Sequence, residues 1–338
     1  LQESTSLLDE AALEALRGRK NLLAFSAGVD SSALFFLLLD AGIEFDIAIV
    51  NYNTRVFSNE EALYAKELAQ KYGKECFVKS VRLDSSNFEA EARGVRYAFF
   101  EEIIGFGNYE NLITAHQLND RLEWFFMRLS KGAGIRELIG GKTVEKRGVY
   151  TLVKPLLNIS KKNIYEYLQR NKIKYYEDES NIDAKYERNF FRSEFASAFM
   201  ERFEDGVRRS FEILSSEAAL FEVPFLQKNE LIIFKRVSGL IDESNISLAL
   251  KKIGYLASAN QRKEIKNKDF DAVVGGRFCV CKSERLIFVA PHIRAVMPKE
   301  FKEKCRIAGI PPKIRGYLFA KEIDVNMLEK ELATFSAL

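Results

Sequence analysis

Along the first half of the chain, short apolar runs alternate with longer stretches whose apolar residues recur at helical spacing. Residues 21–26 form an apolar run too short for a helix, between Lys20 and Gly28, and predict a buried strand. Residues 31–41 are apolar nearly all round and stop at Gly42, which predicts a buried helix with a glycine end. Residues 45–51 predict a second strand. Ser58 and Glu61 have the spacing of a capping box for a helix that runs to Tyr72 and stops at Gly73. A strand over 75–81, a helix over 89–104, a strand over 111–115 and a helix over 118–129 follow. A short fifth strand is expected over 152–155, and Ser160 caps a helix over 161–171. Strands that read as continuous apolar runs, alternating with helices, specify an α/β fold: a parallel sheet with helices on both faces. Residues 190–217 predict one long helix. Its Phe195, Phe199, Phe203, Val207, Phe211 and Leu214 lie at helical spacing and suggest core or interdomain packing. Beyond it, strands are expected over 231–234, 278–281 and 286–290.

The chain has 338 residues, which at about 150 residues per domain suggests two. The boundary is expected between residues 217 and 218, with a smaller basic α+β region after it. No apolar run reaches the roughly 18 residues of a membrane span; residues 33–39 stop at Asp40. The N-terminal stretch, with Glu3, Asp9 and Glu10, lacks the pattern of a signal peptide. Four cysteines (Cys76, Cys279, Cys281, Cys305) form no CxxC pair, so a reducing cytoplasm is the expected compartment. The net charge of +3 hides an asymmetry: residues 221–338 carry 21 Lys+Arg against 14 Asp+Glu. That excess fits either a polyanion partner for the second half or a solvated surface.

In parallel sheets ligands bind beyond the carboxyl ends of the strands. The first such turn is Ser26-Ala27-Gly28-Val29-Asp30-Ser31, which offers small residues, hydroxyls and the N-terminus of a helix to an anion. An ordinary tight turn capped by Asp30 and Ser31 would look the same. The spacing is not that of a Walker motif. After the fourth strand comes His116, one of only two histidines, then Asp120 and Glu123 on one helical face. This pair suits a metal or an ammonium ion, or simply complements the helix dipole, and His116 suits proton transfer near neutral pH. Arg93 and Arg96 share another helical face, and Lys131, Gly132 and Gly134 form a basic loop.

The ordered set resembles the tRNA(Ile)-lysidine synthetases of the PP-loop (N-type ATP pyrophosphatase) superfamily. Their Ser-Gly-Gly-x-Asp-Ser falls on Ser26 to Ser31, with Ala27 in place of a glycine. Of His-Val-Asn-His-x-x-Arg, Val50, Asn51 and Arg55 match, while Ile49 and Tyr52 replace histidines. Glu91-Ala92-Arg93 with Arg96-Tyr97 is intact. Thr114-Ala115-His116, Asp120 and Glu123 match a further motif in which Asn119 replaces an aspartate and Trp124 a threonine. Arg128-Leu129 with Gly132 and Gly134, Lys154-Pro155-Leu156-Leu157, and Asp178, Ser180-Asn181, Asp183 and Arg188-Asn189 complete the series, over residues 21–192.

The resemblance implies a PP-loop ATPase domain of adenine nucleotide alpha hydrolase-like fold, and an ATP-dependent ligase of tRNA processing. Its substrates would be free L-lysine and a tRNA(Ile) with a CAU anticodon, whose wobble cytidine becomes lysidine. It implies ATP binding by Ser26, Ala27, Gly28, Val29, Asp30 and Ser31, with Asp30 a candidate Mg2+ ligand. Catalytic or lysine-binding roles fall to Arg93, Arg96, His116, Asp120 and Glu123, and candidate nucleotide contacts to Asn51 and Arg55. For tRNA the expected residues are Lys131, Arg188, Arg192, Lys302, Lys304 and Arg306. No membrane partner is expected, and homodimer formation stays open. The alternatives are a PP-loop enzyme that thiolates tRNA, one that amidates a small metabolite, and a non-catalytic tRNA-binding relative. With Cys76 the sole cysteine of the first half, thiolation is disfavoured.

Overall fold

A computed structural model describes residues 7–53, 58–83, 88–177 and 187–337. It divides the chain into two compact units, Leu1–Ser216 and Glu217–Leu338. The first unit opens with α1 (Glu10–Leu16), capped by Asp9 through the amides of Ala11 and Ala12. Then come β1 (Asn21–Ala24), α2 (Val29–Asp40), β2 (Asp46–Asn51), α3 (Ser58–Tyr72), β3 (Cys76–Ser80), α4 (Phe88–Gly107), β4 (Asn111–Ile113) and α5 (Leu118–Leu129). A short α6 (Ile135–Leu138), a hairpin of β5 (Val144–Arg147) and β6 (Tyr150–Val153), and α7 (Lys161–Arg170) follow. The next described elements are α8 (Glu187–Phe191), a π-helical turn (Arg192–Ala196) and α9 (Ser197–Ala219).

The sheet order is β3-β2-β1-β4-β6-β5, with every neighbouring pair parallel except β5 and β6. Side chains alternate across it, as the two-residue strand period requires. Leu22, Ala48, Leu112 and Leu152 pack with Phe100, Ile103 and Ile104 of α4. Leu23, Ile47, Ile113 and Val153 pack with α1, α2, α3 and α7 on the other face. Both faces are covered, which explains why the strands read as unbroken apolar runs. The chain leaves β1 toward β2 and β3, then returns to place β4 on the opposite side of β1. The crevice at the carboxyl ends of β1 and β4 is therefore the topological switch point.

Three features differ from the sequence pattern. The fifth parallel strand lies at Tyr150–Val153 rather than 152–155, and antiparallel β5 precedes it through a turn with Gly148 at φ +52°. Helix α1 was not predicted, because seven residues show barely two turns of periodicity. The long helix expected over 190–217 is interrupted by the π turn and by Phe203, whose φ of −130° is not helical.

The second unit contains β7 (Leu226–Lys228), β8 (Leu231–Lys235), α10 (Gly239–Lys252), α11 (Ala259–Asn267), β9 (Ala272–Val274), β10 (Phe278–Lys282) and β11 (Leu286–Pro291). Helices α12 (Lys299–Ile307), α13 (Pro312–Ala320) and α14 (Val325–Ala337) end it. Its antiparallel sheet, in the order β7-β8-β11-β10-β9, carries α10 and α11 on one face and α12, α13 and α14 on the other. Gly316 is required in α13, since a Cβ there would lie 2.0 Å from the Ile293 carbonyl oxygen.

Candidate active site

The loop from β1 to α2 is fixed by its own small residues. The Ser26 amide donates to Ser31 Oγ at 3.2 Å, the two hydroxyls are 3.1 Å apart, and Ser31 Oγ donates to the Gly28 carbonyl at 3.2 Å. Ala27 stands at φ +58° with its methyl fully buried in the core, so only its backbone can meet a ligand. Its carbonyl accepts from the Tyr176 amide at 3.0 Å, which ties the loop to the segment after α7. A Cβ on Gly28 would stand 3.3 Å from Ser26 Oγ, crowding the hydroxyl pair.

The loop opens into a cavity of about 560 Å3. Ser26, Gly28, Val29, Asp30 and Ser31 line one side, and Thr114, His116 and Asp120 another. Arg93 and Arg96 of α4, Lys161 and Tyr165 of α7, Tyr52, Tyr176, Glu177 and Arg188 are also in the walls. Neither Arg93 nor Arg96 has a carboxylate partner among the described residues; Arg93 lies 4.9 Å from the Tyr97 ring centroid. Two uncompensated guanidinium groups suit a phosphate or carboxylate.

Asp30 lies in the first turn of α2. Its Oδ1 is buried and accepts no hydrogen bond among the described residues. Burial pushes its carboxyl pKa up to about 7, the Asp120 charge adds to this, and Lys161 and Arg192 oppose it. A buried orphan carboxylate oxygen beside a phosphate loop fits a divalent cation. Among the described residues no three His, Cys, Asp or Glu side chains converge as a metal site. A single protein carboxylate with substrate phosphates is a usual arrangement for Mg2+.

His116 follows β4, with Nδ1 2.9 Å from Thr114 Oγ1. Burial holds its pKa down to about 4; Asp120 opposes the shift, and Lys154, Arg188 and Arg93 reinforce it. The imidazole is therefore neutral near pH 7. Asp120 Oδ2 accepts from the Gln117 amide at 3.1 Å, closing a capping box at the start of α5. Its Oδ1 accepts from Arg188. Glu123 is buried, its Oε2 bonded to Arg188 Nε at 2.7 Å and its Oε1 to Arg192 Nε at 2.6 Å. The two carboxylates do face one way, as their spacing predicts, but toward arginines.

Residues 3–198 match the family model described as PP-loop domain. A tRNA(Ile)-lysidine synthase from Wolinella succinogenes is 44% identical over 92% of this chain and 96% of its own length. The chain belongs to the tRNA(Ile)-lysidine synthase family. A relative of the same name from Campylobacter jejuni is 44% identical, covering 95% of this chain and 99% of that one. A solved U34-tRNA thiolase from Methanococcus maripaludis shares the fold, with a TM-score of 0.53 and 16% identity over 63% of this chain and 78% of its own.

The departures from the family's motifs have local explanations. Ala27 keeps the left-handed turn that glycine would adopt freely, at a cost of about 1 kcal/mol, offset by roughly 0.8 kcal/mol for its buried methyl. Asn119 Oδ1 accepts from the Lys161 amide at 3.0 Å, which joins the starts of α5 and α7. Tyr52 replaces a family histidine and donates its hydroxyl to the Ala92 carbonyl at 2.9 Å, joining the end of β2 to α4. Ile49 is core. Trp124 donates Nε1 to the Glu137 carbonyl at 2.7 Å.

Several expected site residues lie away from the cavity lining. The Asn51 amide is spent on Asn59 at 2.8 Å and on the Asn53 amide at 2.9 Å, so it shapes the turn after β2 instead of facing the cavity. Lys131 pairs with Glu187 at 2.7 Å. Arg188, which does line the cavity, and Arg192, both expected on tRNA, are paired with the Asp120 and Glu123 carboxylates. Arg55, Asp178, Ser180, Asn181 and Asp183 lie outside the described residues. Conversely, Lys161, Tyr165 and Tyr176 line the cavity and were passed over. Inspecting the chain just after β6, by the rule applied to β1 and β4, would have found Lys161.

Proposed function

We propose that this protein ligates free lysine to the wobble cytidine of the CAU anticodon of tRNA(Ile), in the cytoplasm, at the expense of ATP. The ring carbonyl oxygen of the cytidine attacks the α-phosphate and pyrophosphate leaves. The ε-amino nitrogen of lysine then attacks the same ring carbon and AMP leaves. The observation that carries this reading is one cavity joining the phosphate loop, the orphan Asp30 oxygen, Arg93 and Arg96, which have no carboxylate partner among the described residues, and the His116–Asp120 wall. Ser26, Gly28 and Ser31 hold the phosphates that depart. Asp30 would hold Mg2+, which offsets charge on those phosphates. Arg93 and Arg96 bind the α-phosphate or the lysine carboxylate. Lysine arrives as an ammonium ion and gives up a proton before it attacks; neutral His116 and Asp120 are placed to receive it. The thiolation alternative is not favoured, since Cys76 begins β3 outside the cavity lining and burial raises its thiol to about 11. The basic second unit, with Lys302 and Lys304 of α12 exposed and without an ion-pair partner among the described residues, is the proposed tRNA-binding region.

The test is nucleotide consumption by the purified protein with tRNA(Ile) and lysine supplied together and singly. AMP formation should require both. AMP formation without lysine, or with a tRNA lacking the CAU anticodon, would refute the assignment.

A further inference from the structure

Lys161 is the cavity cation to which no role has yet been given. It begins α7 just after the capping Ser160, and its backbone is pinned to Asn119. Its side chain lines the cavity beside Ser26, Asp30 and Ser31, with Nζ 5.6 Å from the Tyr165 ring centroid. Among the described residues no carboxylate lies within ion-pairing distance of it. Its charge nevertheless acts on Asp30, drawing that carboxyl down against the effect of burial. Asp30 and Lys161 thus face the same space and influence each other without touching. Two such groups lining one cavity without pairing suit an anion together with its cation, phosphate at the lysine and divalent metal at the aspartate.

Of the cations that line the cavity, Arg93 and Arg188 are among the charges that act on His116, and Lys161 is among those that act on Asp30. Lys161 belongs to the loop side, where the phosphates that depart would lie. The α-phosphate and lysine chemistry falls to the His116 side.

We propose that Lys161 contacts the departing pyrophosphate, opposite the Ser26–Ser31 loop, and is a catalytic residue of the first step. The proposal rests on the adenylation reading above. As the bond from the α-phosphorus to its bridging oxygen breaks, the electron pair stays on that oxygen and the pyrophosphate gains negative charge. A fixed ammonium group stabilises this charge more in the transition state than in bound ATP, and it keeps its protons throughout.

The test uses the full chain with Lys161→Met, Lys161→Gln and Lys161→Arg. Binding of magnesium pyrophosphate is measured by calorimetry without tRNA or lysine, and pyrophosphate release is followed in a single turnover with both. Losing a charge-assisted contact should weaken pyrophosphate binding by about tenfold or more in the neutral variants and slow release by a similar factor. Lys161→Arg should restore most of both, and the lysine KM should move by less than about twofold. Unchanged pyrophosphate affinity in folded Lys161→Met and Lys161→Gln, or a loss confined to lysine KM, would overturn the assignment. If the acceptor of the adenylate were not lysine, the calorimetric arm would still report on Lys161, so the two readings fail separately.

Discussion

Asp30 and Glu123 are both carboxylates removed from water at one end of the same sheet, yet their surroundings are opposite. Asp30 leaves Oδ1 without a hydrogen bond among the described residues, whereas both oxygens of Glu123 accept from arginine. Burying a lone carboxylate is unfavourable, and burial with partners is tolerated only while the partners stay. The first arrangement favours the approach of positive charge. The second is a filled cation site, open to an ammonium ion only if a guanidinium yields. The two sites should therefore respond differently to ligand, pH and mutation.

The largest effect is expected at the unpartnered site. Asp30→Asn should lower adenylation by about a hundredfold or more, the scale of a lost electrostatic contact to a developing charge. It should also change how stability depends on pH. The folded pKa of Asp30, about 7, lies above its ordinary 3.8, so the folded state binds the extra proton and stability falls as pH rises between these values. His116 acts in the opposite sense: its folded pKa of about 4 lies below its ordinary 6.5, so stability rises with pH over that interval. The two slopes offset each other up to 6.5, and the Asp30 slope persists to about 7. In Asp30→Asn the stability should instead rise from pH 4 to 6.5, with a gain over the parent on the order of 4 kcal/mol at higher pH; the amide's own unmet hydrogen bonds return part of it. Denaturant titrations across that range check the sign, and a slope unchanged from the parent would remove Asp30 as its source.

At the filled site the effect on folding has the opposite sign. Glu123→Gln leaves two partly buried guanidinium groups without their shared carboxylate and should cost about 3 kcal/mol of stability. Asp120→Asn should cost less, because Arg188 keeps Glu123. Both should raise the lysine KM more than the ATP KM. Equal effects on the two substrates would break the distinction between the walls.

The smallest effect is expected in the second unit. Replacing Lys302, Lys304 and Arg306 with alanine should weaken tRNA binding and reduce its salt slope by about 2. The reduction is less than three full charges because Arg306 already pairs with Glu303 at 2.7 Å. ATP affinity should not change. Titrations at several salt concentrations decide, and an unaltered slope would leave these cations as surface charge.

How much of this was legible in the sequence depended on the range of the interaction. The alternation of β1, α2, β2 and α3 was readable because burial on both faces imposes apolar runs, and the phosphate loop because its small residues are consecutive. Helix α1 was too short to show a period. The pairing of Glu123 with Arg188 and Arg192 joins residues more than sixty positions apart, and nothing local to either partner announces it. The role of Asn119 was hidden for the same reason: its substitution reads as a lost charge until the Lys161 amide is seen bonded to it. Arg188 and Arg192 are expected on tRNA from the resemblance, and their pairing with Glu123 is visible only in the folded chain.

The buried methyl of Ala27 has a consequence for how a nucleotide would be received. A phosphate loop of consecutive glycines can sample many shapes before ligand arrives, and that freedom is lost on binding. Here the second residue of the loop is a peg set into the core, and its carbonyl is fastened to Tyr176. The seat is moulded in advance. Little ordering should accompany ATP association, so the loop contributes a small entropic penalty and the fit is made by the triphosphate turning to match it.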